Sequence, residues 1–172
     1  MVSAATGDVS GVRPQGGSAM FLQIIQGPVG DVTAAKATLD RWLRDLEPGA
    51  AGWLGGTYGL TDDGMFVAVV RFESAEAARR NSGRPEQAAW WREMQSHFTG
   101  EVTFHDCADV MLLAGGGSDD ATFVQVIQGH LRDRDRAHAL AEQSGELISR
   151  YRPDVLGATI AIDADGYTQP SV

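Results

Sequence analysis

The segment Phe21-Leu22-Gln23-Ile24-Ile25-Gln26-Gly27 returns 102 residues later as Phe123-Val124-Gln125-Val126-Ile127-Gln128-Gly129. A chain that repeats itself at a fixed offset folds as related units, and this constrains the architecture more than any single motif. The same offset matches Asp31 with Asp133, Gly55 and Thr57 with Gly157 and Thr159, and the turn Asp63-Gly64 with Asp165-Gly166. The first copy has room for a complete strand-helix-strand-strand-helix-strand unit. The second reaches Val172 just after the turn that opens its third strand, so a shortened second copy is expected.

With 172 residues, 43% of them hydrophobic, the chain can bury a core without disulfides or metal staples. The lone Cys107 makes no internal disulfide, and no charged segment followed by an apolar one opens the chain, so a reducing cytoplasm is expected. No apolar run approaches the roughly 20 residues of a membrane span. A net charge of -9 opposes binding to nucleic acid and to anionic lipid. The expected partners are small hydrophobic or aromatic molecules and a second copy of the chain.

Residues 1–19 are rich in Gly, Ser and Ala without hydrophobic period and read as a flexible tail. Met20, at the change in composition, reads as an alternative start. A strand is predicted from Phe21 to Ile25, and a helix capped by Asp31 or Thr33 follows, with Val32, Ala35, Leu39, Trp42, Leu43 and Leu46 on one face. Trp53 to Leu60 and Met65 to Phe72 read as a hairpin across Thr61-Asp62-Asp63-Gly64, where Asp-Gly supplies the backbone a tight turn needs. Ser74 caps a second helix, broken near Asn81 to Pro85 and resumed from Glu86 to about Phe98. Residues 102–113 form a fourth strand long enough to bend, which completes a first domain over 20–113. A Gly-rich linker spans 114–121. The second copy, 122–172, repeats the first strand, carries a helix over Arg134 to Arg150 and a strand over Val155 to Ile162, and has Pro170 to discourage further central pairing.

A βαββαβ order is the ferredoxin-like α+β arrangement, an antiparallel sheet with helices on one face. Its bare face must be covered. Two copies would stack sheet on sheet into a partial barrel, and because the second copy is expected to supply only half a sheet, the pattern predicts recruitment of a second chain as a homodimer.

The strand Phe21 to Gly27, the Asp62-Asp63-Gly64 hairpin leading into Met65 to Ser74, and the helix bearing Trp90-Trp91 together resemble the dimeric α/β-barrel superfamily, within it the antibiotic-biosynthesis-monooxygenase-like (ABM-like) domains. The resemblance covers 20–113 and, in part, 122–169. It implies a ligand pocket, where one exists, between helices and sheet. It also implies activities that range from cofactor-independent oxygenation to heme degradation and isomerisation, so fold alone does not select one.

Helical spacing gathers Gln87, Trp90, Trp91, Met94, His97 and Phe98 on one arc, which would wall such a pocket or simply fill the core. Cofactor-independent oxygenation of a small aromatic or polyketide-like compound needs an apolar, water-excluding pocket and a group that binds or deprotonates a phenol. Trp90 and His97 are the candidate catalytic residues; Gln23, Gln26, Trp91, Met94, Tyr58 and Arg71 are candidate ligand contacts. Gln23 and Gln26 alternate to opposite sheet faces, so only one faces the helices. Heme is the alternative cofactor: the heme-degrading relatives carry an Asn on the first strand and a Trp and a His on the second helix, where this chain has Gln26, Trp90 and His97. Gln in place of Asn, and a Trp-to-His spacing of seven, depart from that pattern. His105, Cys107 and Asp109 alternate on the fourth strand, but no metal site is assigned there. Gly52 to Gly59 opens no helix and lacks the context of a phosphate cradle. The remaining alternative is a non-catalytic barrel module that binds a hydrophobic ligand or mediates assembly.

Overall fold

The computed structural model describes residues 20–61, 63–116, 121 and 123–168; the predicted tail, Asp62, Pro170 and part of the linker lie outside them. In chain order the elements are β1 (Phe21–Pro28), α1 (Val32–Asp45), β2 (Trp53–Leu60), β3 (Met65–Phe72), α2 (Ala75–Ser82), α3 (Pro85–Gln95), β4 (Thr103–Cys107), β5 (Asp109–Leu113), β6 (Gly129–His130), α4 (Arg134–Tyr151), β7 (Ala158–Ile162) and β8 (Tyr167–Thr168). Two antiparallel sheets result, ordered β2-β3-β1-β4 and β5-β7-β8-β6. The first has the ferredoxin-like order, with α1, α2 and α3 on one face.

Local chemistry repeats along with the sequence. Asp31 caps α1 by accepting from the Ala34 amide, and Asp133 caps α4 by accepting from the Arg136 amide, each at 2.9 Å. The hairpins repeat as well. Val29 N–H donates to the Gly64 carbonyl as Leu131 N–H does to Gly166, and both glycines sit at positive φ, 83° and 82°, where a Cβ would be strained. The break between α2 and α3 has a cause beyond Pro85: the Arg84 guanidinium donates to the Leu46 carbonyl and to Asn81 Oδ1, which ties it to the end of α1.

β1 alternates between two cores. Phe21 and Ile25 face the helices; Leu22 and Ile24, both fully buried, face the second sheet, where they pack with Val69, Cys107, Ala161 and Tyr167. Two corrections follow. The predicted fourth strand is two strands, since the chain turns at Ala108: β4 pairs with β1, and β5 crosses to pair with β7. The second copy therefore does not leave half a sheet, because β5 of the first copy completes it to four strands. Of the repeated heptapeptide, Gly129 pairs with Thr168 in the register that Gly27 and Phe66 have in the first copy. The same register assigns residues 125–128 to positions 169–172, which lie outside the described residues, and the pairing of the repeated first strand lies there with them.

Phe21 and Phe123 thus occupy the same repeat position at 7% and 71% exposure. In urea unfolding, Phe21→Ala is expected to cost about 3–5 kcal/mol and Phe123→Ala no more than about 0.5 kcal/mol. Equal losses would mean that both segments are packed alike.

Candidate functional site

The arc on α3 is built into the first-copy core. Trp90, Trp91 and Phe98 pack on a cluster that contains fully buried Met94 together with Leu39, Tyr58 and Phe66. Ring contacts run from Trp53 through Trp42, Trp90 and Trp91 to Phe104, with centroids 5.5–6.2 Å apart, which suits offset and edge-on aromatic packing. Polar tips are satisfied across the helix pair: Trp90 Nε1 donates to the Thr38 carbonyl at 2.8 Å and Trp42 Nε1 to Gln87 Oε1 at 2.6 Å. His97 Nε2 lies 3.0 Å from Thr38 Oγ1, which also donates to Glu93, and Arg41 closes the chain onto Glu93 at 2.5 Å. These contacts lock α1 to α3.

The remaining predicted contacts divide between the two faces of the first sheet. Tyr58 lies on the helix side, where burial raises its phenol well above the ordinary range. Gln23 shares that face but donates to Asp106 at 2.7 Å near the sheet edge. Gln26 faces the second sheet, where it donates to the Tyr167 hydroxyl at 3.4 Å and accepts from its repeat counterpart Gln128 at 2.6 Å. Arg71, paired with Leu22, also lies on the inter-sheet side. Gln26, Trp90 and His97 therefore do not converge, and these three residues do not fit a heme.

A cavity of about 700 Å³ opens instead between α4 and β5. Met111 and Leu113, on the face of β5 toward α4, form its floor, with Leu112 and Ala114 at its border; Ala141 and Gly145 form the helix side, with His138, Glu142, Glu146 and Ser149 around them. The repeat shows why space exists here. At the 102-residue offset Leu39 becomes Ala141, Trp42 becomes Ser144 and Leu43 becomes Gly145, so the side chains that fill the first-copy core are cut back in the second. A Cβ added at Gly145 would meet Leu113 Cδ2 at 3.8 Å, an ordinary contact, so no close approach forces this glycine into the helix. His138 Nε2 lies 2.9 Å from Asp109 Oδ2, and Arg134 Nη1 lies 3.6 Å from the same oxygen. Reading the motifs of each copy alone missed His138, Ala141 and Gly145; comparing the two copies position by position would have found them.

Between the sheets lies a second polar group. His105 stacks on Tyr167 with centroids 3.7 Å apart, and its Nδ1 is 2.8 Å from Asp163 Oδ2. The thiol of Cys107 is pushed up to about 12, first by burial and then by Asp163, Asp106 and Asp109, which makes it a poor nucleophile. Among the described residues no cluster of His, Cys, Asp and Glu is arranged to hold a metal ion. Nor is any helix among the described residues long and apolar enough to cross a membrane.

Comparison with solved structures adds the fold. A candidate monooxygenase from Fusobacterium nucleatum superposes with a TM-score of 0.70, covering 90% of this chain and 75% of its own at 13% identity. One from Lactobacillus acidophilus gives 0.68, over 89% and 76%, at 14% identity. The chain shares with both a tandem ferredoxin-like α+β fold. SnoaB, a cofactor-independent oxygenase from Streptomyces nogalater, matches at a TM-score of 0.45, over 50% of this chain and 90% of its own, at 15% identity. No protein-family model and no curated protein matches the chain. At these identities the likeness is one of fold.

Asp163 yields a test of the inter-sheet group. Burial opposes its ionisation, but His105 and the backbone amides of Tyr167 and Asp165 together hold its carboxyl below the ordinary range. A carboxyl depressed on folding stabilises fully at neutral pH and loses that contribution as pH falls through and below the ordinary carboxylate range. Asp163→Asn should therefore be less stable than the parent at pH 7, with the gap closing toward pH 3 in chemical denaturation. A gap independent of pH would contradict this assignment.

Proposed function

We propose that the chain is a small-molecule enzyme of the monooxygenase-like kind, acting on a flat aromatic or polyketide-like compound without a dedicated cofactor, in a reducing cytoplasm. The observation that carries the reading is the cavity between α4 and β5, whose volume falls in the range of small-molecule sites. Its apolar floor suits a fused-ring body, and the polar groups on α4 suit its hydroxyls. The first copy, where Trp90 and Trp91 pack half-buried against the cluster around Met94, serves as the scaffold.

The chemistry balances with dioxygen as co-reactant. Loss of a proton makes a phenol or enol electron-rich enough to reduce dioxygen; the oxygen adds at the activated ring carbon, and the hydroperoxide loses water. A ring CH2 and dioxygen thereby give a carbonyl and water.

A second reading, a non-catalytic module that assembles with another copy of the chain, is favoured by one observation. Leu140, Leu147 and Tyr151 line α4 at 51–63% exposure, along the flank that in α1 includes Thr38 and meets α3.

Gly145→Leu separates the two, because it restores the first-copy residue and fills the cavity. The enzyme reading predicts loss of hydroxyanthraquinone binding by at least tenfold and loss of oxygen uptake with a hydroxyanthrone, with the circular dichroism spectrum and sedimentation unchanged. Altered sedimentation with ligand binding intact supports assembly. Loss of binding in His97→Ala would place the ligand against α3 instead.

A further inference from the structure

We infer that His138, oriented by Asp109, is the general base of the α4–β5 cavity, and that its substrate is a phenol or enol that enters neutral and is ionised inside. The inference rests on the cavity reading above and names the group that reading requires. His138 lines the cavity, whereas Asp109 stands behind it on β5, the element that forms the floor. A carboxylate only accepts hydrogen bonds, so the 2.9 Å contact places the ring proton on Nε2. That leaves the lone pair on Nδ1, which has no partner among the described residues. A carboxylate that fixes the tautomer and then stabilises the imidazolium is the arrangement a histidine base needs.

The step moves one proton. The substrate O–H bond breaks, its proton passes to Nδ1, its electron pair stays on oxygen, and the imidazolium is paired with Asp109 on one side and the phenolate on the other. The surrounding charges set the selectivity. Arg134 lies 3.6 Å from Asp109 Oδ2 and shares that carboxylate, while Glu142 and Glu146 line the cavity from α4 itself. These two carboxylates disfavour a ligand that arrives as an anion, so carboxylated analogues are expected to bind poorly. A neutral phenol crosses without that repulsion and gains a cation beside it only after transferring its proton to His138. Sequence spacing hides the pair: His138 occupies the position of Lys36 in the first copy, and Asp109 lies 29 residues before it on another element.

A hydroxyanthraquinone reports the step directly, because its neutral and ionised forms differ in visible colour. The full chain is titrated at a pH below the free dye's own ionisation, and the spectrum of the bound fraction is recorded. The parent is expected to bind the dye in its ionised form. His138→Gln should bind within about threefold of the parent with the neutral spectrum, and Asp109→Asn should lose most of the ionised fraction. His138→Lys, carrying the first-copy residue, guards against a folding defect peculiar to the glutamine variant. A neutral spectrum on the parent, or an ionised one on His138→Gln, would overturn the base assignment while leaving the cavity reading intact. No binding by the parent would overturn both.

Discussion

Residues Thr103 to Leu113 belong to two sheets at once, and the architecture depends on that sharing. β4 completes the first sheet beside β1; after Ala108, β5 completes the second beside β7. The crossing brings Leu22, Ile24 and Val69 of one sheet against Ala161 and Tyr167 of the other, with Cys107 at the hinge. Burying two aliphatic side chains as fully as Leu22 and Ile24 contributes about 1.5–3 kcal/mol each. The same crossing places Asp109 and the floor of Met111 and Leu113 beneath α4. The strand that joins the sheets therefore also builds the cavity.

Duplication supplied two equal frames, which were then filled differently. Caps and hairpins are retained to within a few hundredths of a nanometre in their hydrogen bonds, because Asp31 and Asp133, and Gly64 and Gly166, do the same local work. Packing diverged. Leu39 and Leu43 hold α1 on its core, whereas their counterparts Ala141 and Gly145 line the cavity beside α4. A glycine inside a helix costs about 1 kcal/mol relative to alanine, so a cavity that is used gives a reason for keeping Gly145 where no backbone crowding requires it.

Much of the fold was legible in the sequence because it rests on local signals. The β2–β3 hairpin, the Asp31 cap and the α2–α3 break each follow from turn, cap and proline chemistry within a few residues. The crossing at Ala108 was not legible. Both halves of that strand are β-rich, and which sheet each joins depends on partners that begin some 50 to 85 residues away. The site divided along the same line. The aromatic arc on α3 is a periodic pattern and was found, but periodicity does not tell a filled core from a lined pocket; in the structure Met94 is fully buried, while Trp90 and Trp91 pack half-buried against its cluster. Alternation correctly set Gln23 and Gln26 on opposite faces, yet it did not show that Gln26 would meet its repeat counterpart Gln128. The cavity is a property of what is missing from α4, visible only when one copy is laid over the other.

The claim that the second copy holds the ligand site is tested most directly by two-dimensional NMR of the chain during titration with a hydroxyanthraquinone. The account predicts saturable shifts at the Gly145 amide and at the methyl groups of Met111 and Leu113, with the indole resonances of Trp90 and Trp91 unmoved. Shifts centred on Trp90, Trp91 and Met94, with α4 silent, would contradict it.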